Sequence, residues 1–128
     1  MLRTSFVLVA ALASFSVSAQ PIKIGMVLTT SGQFADAGNQ LLNGAKTYMK
    51  MHGDTVNGRK IELITKDTGG VAPDVSKRLS QELIVRDGVD ILAGYVLTPN
   101  AMAAGDVSAE AKKFMVVMNA ATSVVFRP

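Results

Sequence analysis

The stretch "IKIGMVLTTSGQFADAG", Ile22–Gly38, decides the fold. Ile22–Leu28 alternates only in part and carries Ile, Val and Leu, as a strand covered on both faces does. "TTSGQFADAG" then reads as a loop rich in hydroxyls and small residues. Beyond it Leu41, Ala45, Tyr48 and Met49 recur at helical spacing, with Gln40, Asn43, Lys46 and Lys50 on the other side, the pattern of a helix laid on a sheet. One strand, one loop and one amphipathic helix make the first half of a βαβ unit.

The rest of the chain repeats that unit. Gly53 ends the first helix, and Asn57-Gly58 makes a tight turn before a second strand, "KIELIT", Lys60–Thr65. Pro73 suits the first turn of a second helix, where its missing N–H costs nothing. That helix has Val75, Leu79 and Leu83 as its inner stripe and Gly88 as its stop. "VDILAG", Val89–Gly94, is a third strand. Thr98-Pro99 opens a third helix running to about Lys113, with Met102 and Ala103 among its core contacts. Phe114–Met118 is a fourth strand. The order βαβαβαβ requires parallel strands with helices on both faces, so the fold class is α/β with an open, doubly wound parallel sheet.

Residues 1–19 stand apart. A short positive start at Arg3, an apolar stretch from Phe6 to Val17 and the small residues Val17-Ser18-Ala19 predict a secretory leader cut before Gln20. The stretch is shorter than the roughly 20 residues of a membrane span. No Cys follows it, which excludes a lipid-anchored product. Residues 20–128 then form one exported, soluble domain that must be held by packing alone. Losing Arg3 lowers the formal charge by one from +3. The charges are interspersed, so no basic stripe points to nucleic acid or a membrane surface.

Catalysis finds little material. His52 is the sole histidine and falls in the last turn of the first helix, where a cation suits the dipole. One histidine and no cysteine supply neither a Ser/His/Asp set nor a metal site, so neither an enzyme nor a cofactor is expected. "GNQLLNGAKT", Gly38–Thr47, approaches a P-loop with the wrong spacing, and Gly44 inside an amphipathic helix is read as close packing on the sheet. Gly32 and Gly38 do not complete a dinucleotide fingerprint.

Binding is better served. Ligands of doubly wound sheets sit at the carboxyl ends of the strands, where strand order reverses. Three loops leave those ends: Thr29-Thr30-Ser31-Gly32, Tyr95 to Thr98, and Asn119 to Ser123. Ser31 and Tyr95 are candidates by their loops. The Thr98 hydroxyl can cap the third helix beside the N–H groups of Asn100 and Ala101, a set suited to a carboxylate. A Thr-Pro start is also an ordinary helix cap.

"TTSGQFADAGNQLLNGA", "VNGRKIELITKD", "VDILAG" and "NAAT" together resemble the N-terminal lobe of periplasmic leucine/isoleucine/valine-binding proteins, the solute receptors of ABC importers, over about Ile22–Ser123. The resemblance implies a two-lobe clamp in the periplasm that delivers a branched-chain or other hydrophobic amino acid to an inner-membrane permease once its second lobe is present. It implies that Thr98, Ala120, Ala121 and Thr122 grip the ligand's polar head. The second lobe is not in this sequence, so the chain reads as an apparently truncated lobe. Ala37 stands where many amino-acid binders carry an aromatic residue, and Leu97-Thr98-Pro99-Asn100 replaces a serine-rich run. Both departures admit aromatic carboxylates or short amides as the ligand, and the same clamp also serves signalling receptors.

Overall fold

The structure is a computed structural model that describes residues 19–121; residues 1–18, Thr122 and the residues after it lie outside that span. Its centre is strand β1, Ile22–Leu28, whose last four residues are buried. A 3-10 turn at Gly32–Phe34 leads into helix α1, Ala35–His52. Strands β2, Thr55–Val56, and β3, Arg59–Asp67, follow, then helix α2, Pro73–Val85, strand β4, Ile91–Gly94, helix α3, Thr98–Glu110, and strand β5, Phe114–Val117. The sheet order is β2-β3-β1-β4-β5. β1 pairs in parallel with β3, with Ile22 beside Ile61 and Leu28 beside Asp67, and with β4, with Val27 beside Gly94. β5 extends the parallel sheet beyond β4.

Side chains that alternate along the strands divide the core in two. Val27 and Leu92 point toward α2 and α3, where they pack with Leu83, Val89, Tyr95, Ala101 and Ala104. Met26, Leu28 and Ala93 point the other way, against Ala37, Leu41, Leu42 and Ala45 of α1. A strand buried on both faces has no polar side to display, which is why β1 and β4 read as near-continuous apolar runs. The doubly wound α/β expectation is met.

Several details differ from expectation. β2 pairs antiparallel with the start of β3 across the Asn57-Gly58 turn, whose φ angles of 49° and 77° are those of a tight hairpin. Both β2 residues are exposed, so no apolar pattern announces the strand. Val89 is fully buried but precedes β4, and its N–H closes the end of α2 on the Leu83 carbonyl. Tyr48, expected inside, is 65% exposed and lies against His52, their rings 4.3 Å apart. In α3 the buried apolar positions are Ala101, Ala104 and Val107, while Met102 is 48% exposed. The helix is turned from the register that places Met102 inside.

The glycine reading also needs correcting. A Cβ on Gly44 would meet open space, so that residue is not packed on the sheet. The close approach is one turn and a half earlier. A Cβ on Gly38 would overlap the Thr29 carbonyl, so the first turns of α1 press directly on the exit of β1. Gly38→Ala is therefore expected to destabilise the protein by about 2 kcal/mol or more, the scale of overpacking against backbone. Gly44→Ala is expected to stabilise it by about 0.5–1 kcal/mol through helix propensity. Denaturant melts of the two variants check both signs.

Candidate functional site

After β1 the chain adds β2 and β3 on one side of it, and then crosses to β4 on the other. The loops leaving β1 and β4 therefore diverge at the carboxyl ends of adjacent strands, the place where such sheets hold ligands. The loop after β5 joins them. Met118 N–H bonds to Gly94 O at 2.8 Å, Ala120 N–H to Tyr95 O at 3.2 Å, and Asn119 Nδ2 to Val96 O at 3.1 Å.

Under these loops lies a buried polar network. Asn100 is its hub: Nδ2 donates to Gly70 O at 2.9 Å and Thr68 Oγ1 at 3.3 Å, and Oδ1 accepts from Ala72 N–H at 2.9 Å. Ser76 Oγ donates to the Asn100 carbonyl. Thr68 Oγ1 lies 3.2 Å from both the Leu28 and Gly70 carbonyls, so its one proton goes to a carbonyl. The Thr29 hydroxyl, 2.9 Å away, then donates to Thr68. The exits of β1 and β3 and the first turn of α3 are thus tied through side chains that are all buried.

Above the network sits Asp67. Its Oδ1 accepts from Thr30 N–H at 2.8 Å and Gly69 N–H at 3.0 Å, and its Oδ2 from Ser31 Oγ at 2.6 Å. Partial burial pushes the Asp67 carboxyl up, but the bonds from Ser31, Gly69 and Thr30 outweigh it and hold the group at about 2, against an ordinary 3.8.

These contacts sort the sequence candidates. Ser31 and Ala121 are exposed and Thr98 is half-buried, all on the rim. Thr98 is not the cap of α3: Leu97 holds that place, and no side-chain cap bond forms. The Ala101 N–H is already bonded to Leu97 O, which removes it from the expected donor set. The Asn100 N–H makes no bond to a described residue, while its side chain belongs to the network. Tyr95 is 1% exposed, with φ +62°. Its hydroxyl meets Ser80 Oγ at 2.9 Å, and because Ser80 donates to Ser76 O, the tyrosine is the donor. Burial pushes the Tyr95 phenol up to about 12, with the Ser80 bond opposing. Its side chain therefore faces the core rather than the rim. Ala120 is buried, its N–H spent on Tyr95. Thr122 lies outside the described residues.

The signal that sequence reasoning passed over is "KDTGG", Lys66–Gly70, a fourth loop at the same end that supplies Asp67 and Thr68. Below it, Lys66 bridges Glu82 at 2.9 Å and Asp87 at 3.4 Å, fixing β3 to the end of α2. Among the described residues no cluster of three or more His, Cys, Asp or Glu could hold a metal, and no helix is long and apolar enough to cross a membrane. Three concavities among the described residues lie away from the rim, one of them between the C-terminal ends of α2 and α3.

The chain and its fold match known proteins. A family model described as "Periplasmic binding protein" matches residues 21–125. Leu/Ile/Val-binding protein homolog 6 of Brucella abortus (strain 2308) is 40% identical over 120 residues, covering 90% of this chain and 31% of that protein. A solute-binding protein of an ABC transporter from Rhodopseudomonas palustris BisB5, solved with 3,4-dihydroxybenzoic acid, superposes with a TM-score of 0.79 at 45% identity, over 83% of this chain and 29% of its own. Its counterpart from Rhodopseudomonas palustris HaA2, solved with p-hydroxybenzoic acid, gives 0.80 at 43%, over 84% and 29%. This chain thus spans less than a third of the length of the relatives it matches.

Two outcomes follow from the network and from Asp67. Asn100→Leu leaves the Ala72 N–H without a partner and takes the amide donor from the Gly70 carbonyl, and is expected to cost about 1–3 kcal/mol, read in a denaturant melt. The depressed Asp67 group contributes stability that is complete above pH 3.8 and lost as pH falls toward about 2. Asp67→Asn should therefore show a smaller fall in Tm over that window than the wild type, and an equal fall would contradict the assignment.

Proposed function

The chain belongs to the periplasmic binding protein family, and from that membership we propose that it forms the N-terminal lobe of an ABC importer's solute receptor, binding a small carboxylic acid without turnover. The observation that carries this reading is the meeting of the β1, β4 and β5 loops at the switch point of a chain matched to the family over nearly all its described length. The carboxylate lies at the start of α3. There the Asn100 N–H, the Thr98 hydroxyl and the positive end of the helix dipole stand together. Ala121 adds to this wall from the loop after β5, and Thr122 follows it in sequence. Ser31 adds the β1 loop, tied to Asp67 at the end of β3, and Tyr95, Ala120 and the Asn100 side chain hold the loops from below.

An aromatic acid is the ligand with the most support, since the structures at 43% and 45% identity hold hydroxybenzoates. A branched-chain amino acid is the second reading, favoured by the name of the curated relative. In this account residues 1–19 export the protein to the periplasm as a soluble receptor. A second lobe closes the pocket, and the closed clamp docks on an inner-membrane permease. A single wall encloses a ligand poorly, so the affinity of this chain alone is weak.

Thermal melts of the purified protein with millimolar benzoate, 4-hydroxybenzoate, leucine or isoleucine test the reading. A ligand that binds only the folded form raises the midpoint by mass action. Aromatic acids are expected to raise it more than the amino acids do. Thr98→Val is expected to weaken the binding of those acids about tenfold, the scale of one hydrogen bond to a charged group. A midpoint moved by none of the four compounds, or measurable consumption of any of them, contradicts the proposal.

A further inference from the structure

The hydrogen bond between Ser31 and Asp67 fixes what Ser31 can offer a ligand. An ionised carboxylate only accepts, so Ser31 must donate its single proton to Asp67 Oδ2, 2.6 Å away. A hydroxyl whose proton is committed has only lone pairs left to present. The commitment is well enforced. Asp67 is itself held by the Thr30 and Gly69 N–H groups, and the β1 and β3 loops are pressed so close that a Cβ on Gly32 would stand 2.5 Å from the Gly69 carbonyl. In the same loop the Thr29 hydroxyl is buried against Thr68, which leaves Ser31 exposed with its polarity set.

The β1 and α3 sides of this wall then differ in kind. The α3 side presents donors and a positive dipole end, whereas Ser31 on the β1 side presents an acceptor backed by a negative charge. The loops start from paired strands, Val27 beside Gly94, about 4.8 Å apart at that base, and diverge beyond it. We propose that Ser31, oriented by Asp67, is a specificity-determining acceptor that selects aromatic acids carrying a hydroxyl opposite the carboxylate over acids without one. The inference rests on the carboxylate-binding reading above and adds the polarity of the β1 side. A ligand placing a second acceptor there would meet lone pairs with lone pairs and be rejected, as sites built for a hydroxyl discriminate against partners that cannot supply it.

Affinities of the purified protein for benzoate and 4-hydroxybenzoate, two acids of equal charge near neutral pH, test the inference by titration calorimetry. The wild type is expected to prefer 4-hydroxybenzoate about tenfold, the scale of one hydrogen bond to a charge-backed acceptor. Ser31→Ala should bring the ratio close to one by weakening 4-hydroxybenzoate, and Ser31→Thr, which keeps the hydroxyl, should restore it. Asp67→Asn turns an amide N–H toward Ser31 and frees the serine proton to point outward, so the preference should fall there too. A merely structural role for Asp67 would weaken both acids alike and leave the ratio intact. Equal binding of the two acids by the wild type, or a ratio unchanged in Ser31→Ala, overturns the inference while the carboxylate reading stands. Failure of the wild type to bind either acid overturns both.

Discussion

The hydrogen bonds that Asn100 makes beneath the loops are the constraint on which the rest of this site depends. A parallel sheet sends each strand's exit to the same end, but it does not fix how the exits sit relative to one another. Here a buried amide reaches from the first turn of α3 to the loop after β3, and Thr68 carries the connection on to Thr29 at the exit of β1. Buried polar groups are costly unless every partner is present. The cost of breaking any one member therefore keeps the others in place. Apolar packing alone would hold the helices to the sheet without specifying the height of one loop against the next.

Two layers of polar chemistry result, with different jobs. The lower one, Thr29, Thr68, Asn100 and Ser76, is sealed and sets geometry. The upper one, Thr30, Ser31 and Asp67, is open to solvent and sets polarity. Tyr95 joins them from the side: its ring fills the α2/α3 core, while its N–H and carbonyl clamp Val27 and Ala120. A rim arranged this way is stiff before any ligand arrives, which reduces the ordering cost of binding.

The order of strands and helices was legible because each element has an apolar period the sheet dictates. Leu79 and Leu83 form the inner stripe of α2 as their spacing requires, and Ile22–Leu28 is β1 to the residue. The strand β2 was not legible, since two exposed residues held by a turn carry no pattern. Met102 and Tyr48 were misplaced because α1 covers only part of its sheet face and α3 buries alanines rather than its largest side chain. At the site, the loops were found and several side-chain roles were not. Whether Asn100, Tyr95 or Ala120 points up to the rim or down into the core is decided by partners far along the chain, such as Ala72 and Ser80, which no local motif encodes. Asp67 escaped notice for the same reason, as the last residue of an ordinary strand until the β1 loop folds over it.

Small acids are proposed to meet this chain on the wall formed at the ends of β1, β4 and β5. Backbone amide NMR of the isotope-labelled protein, titrated with 4-hydroxybenzoate, tests it most directly. The largest shifts are expected at Ser31, Thr98, Asn100 and Ala121. Shifts centred instead on Ile84, Val85 and Val107, in the groove between α2 and α3, would contradict it.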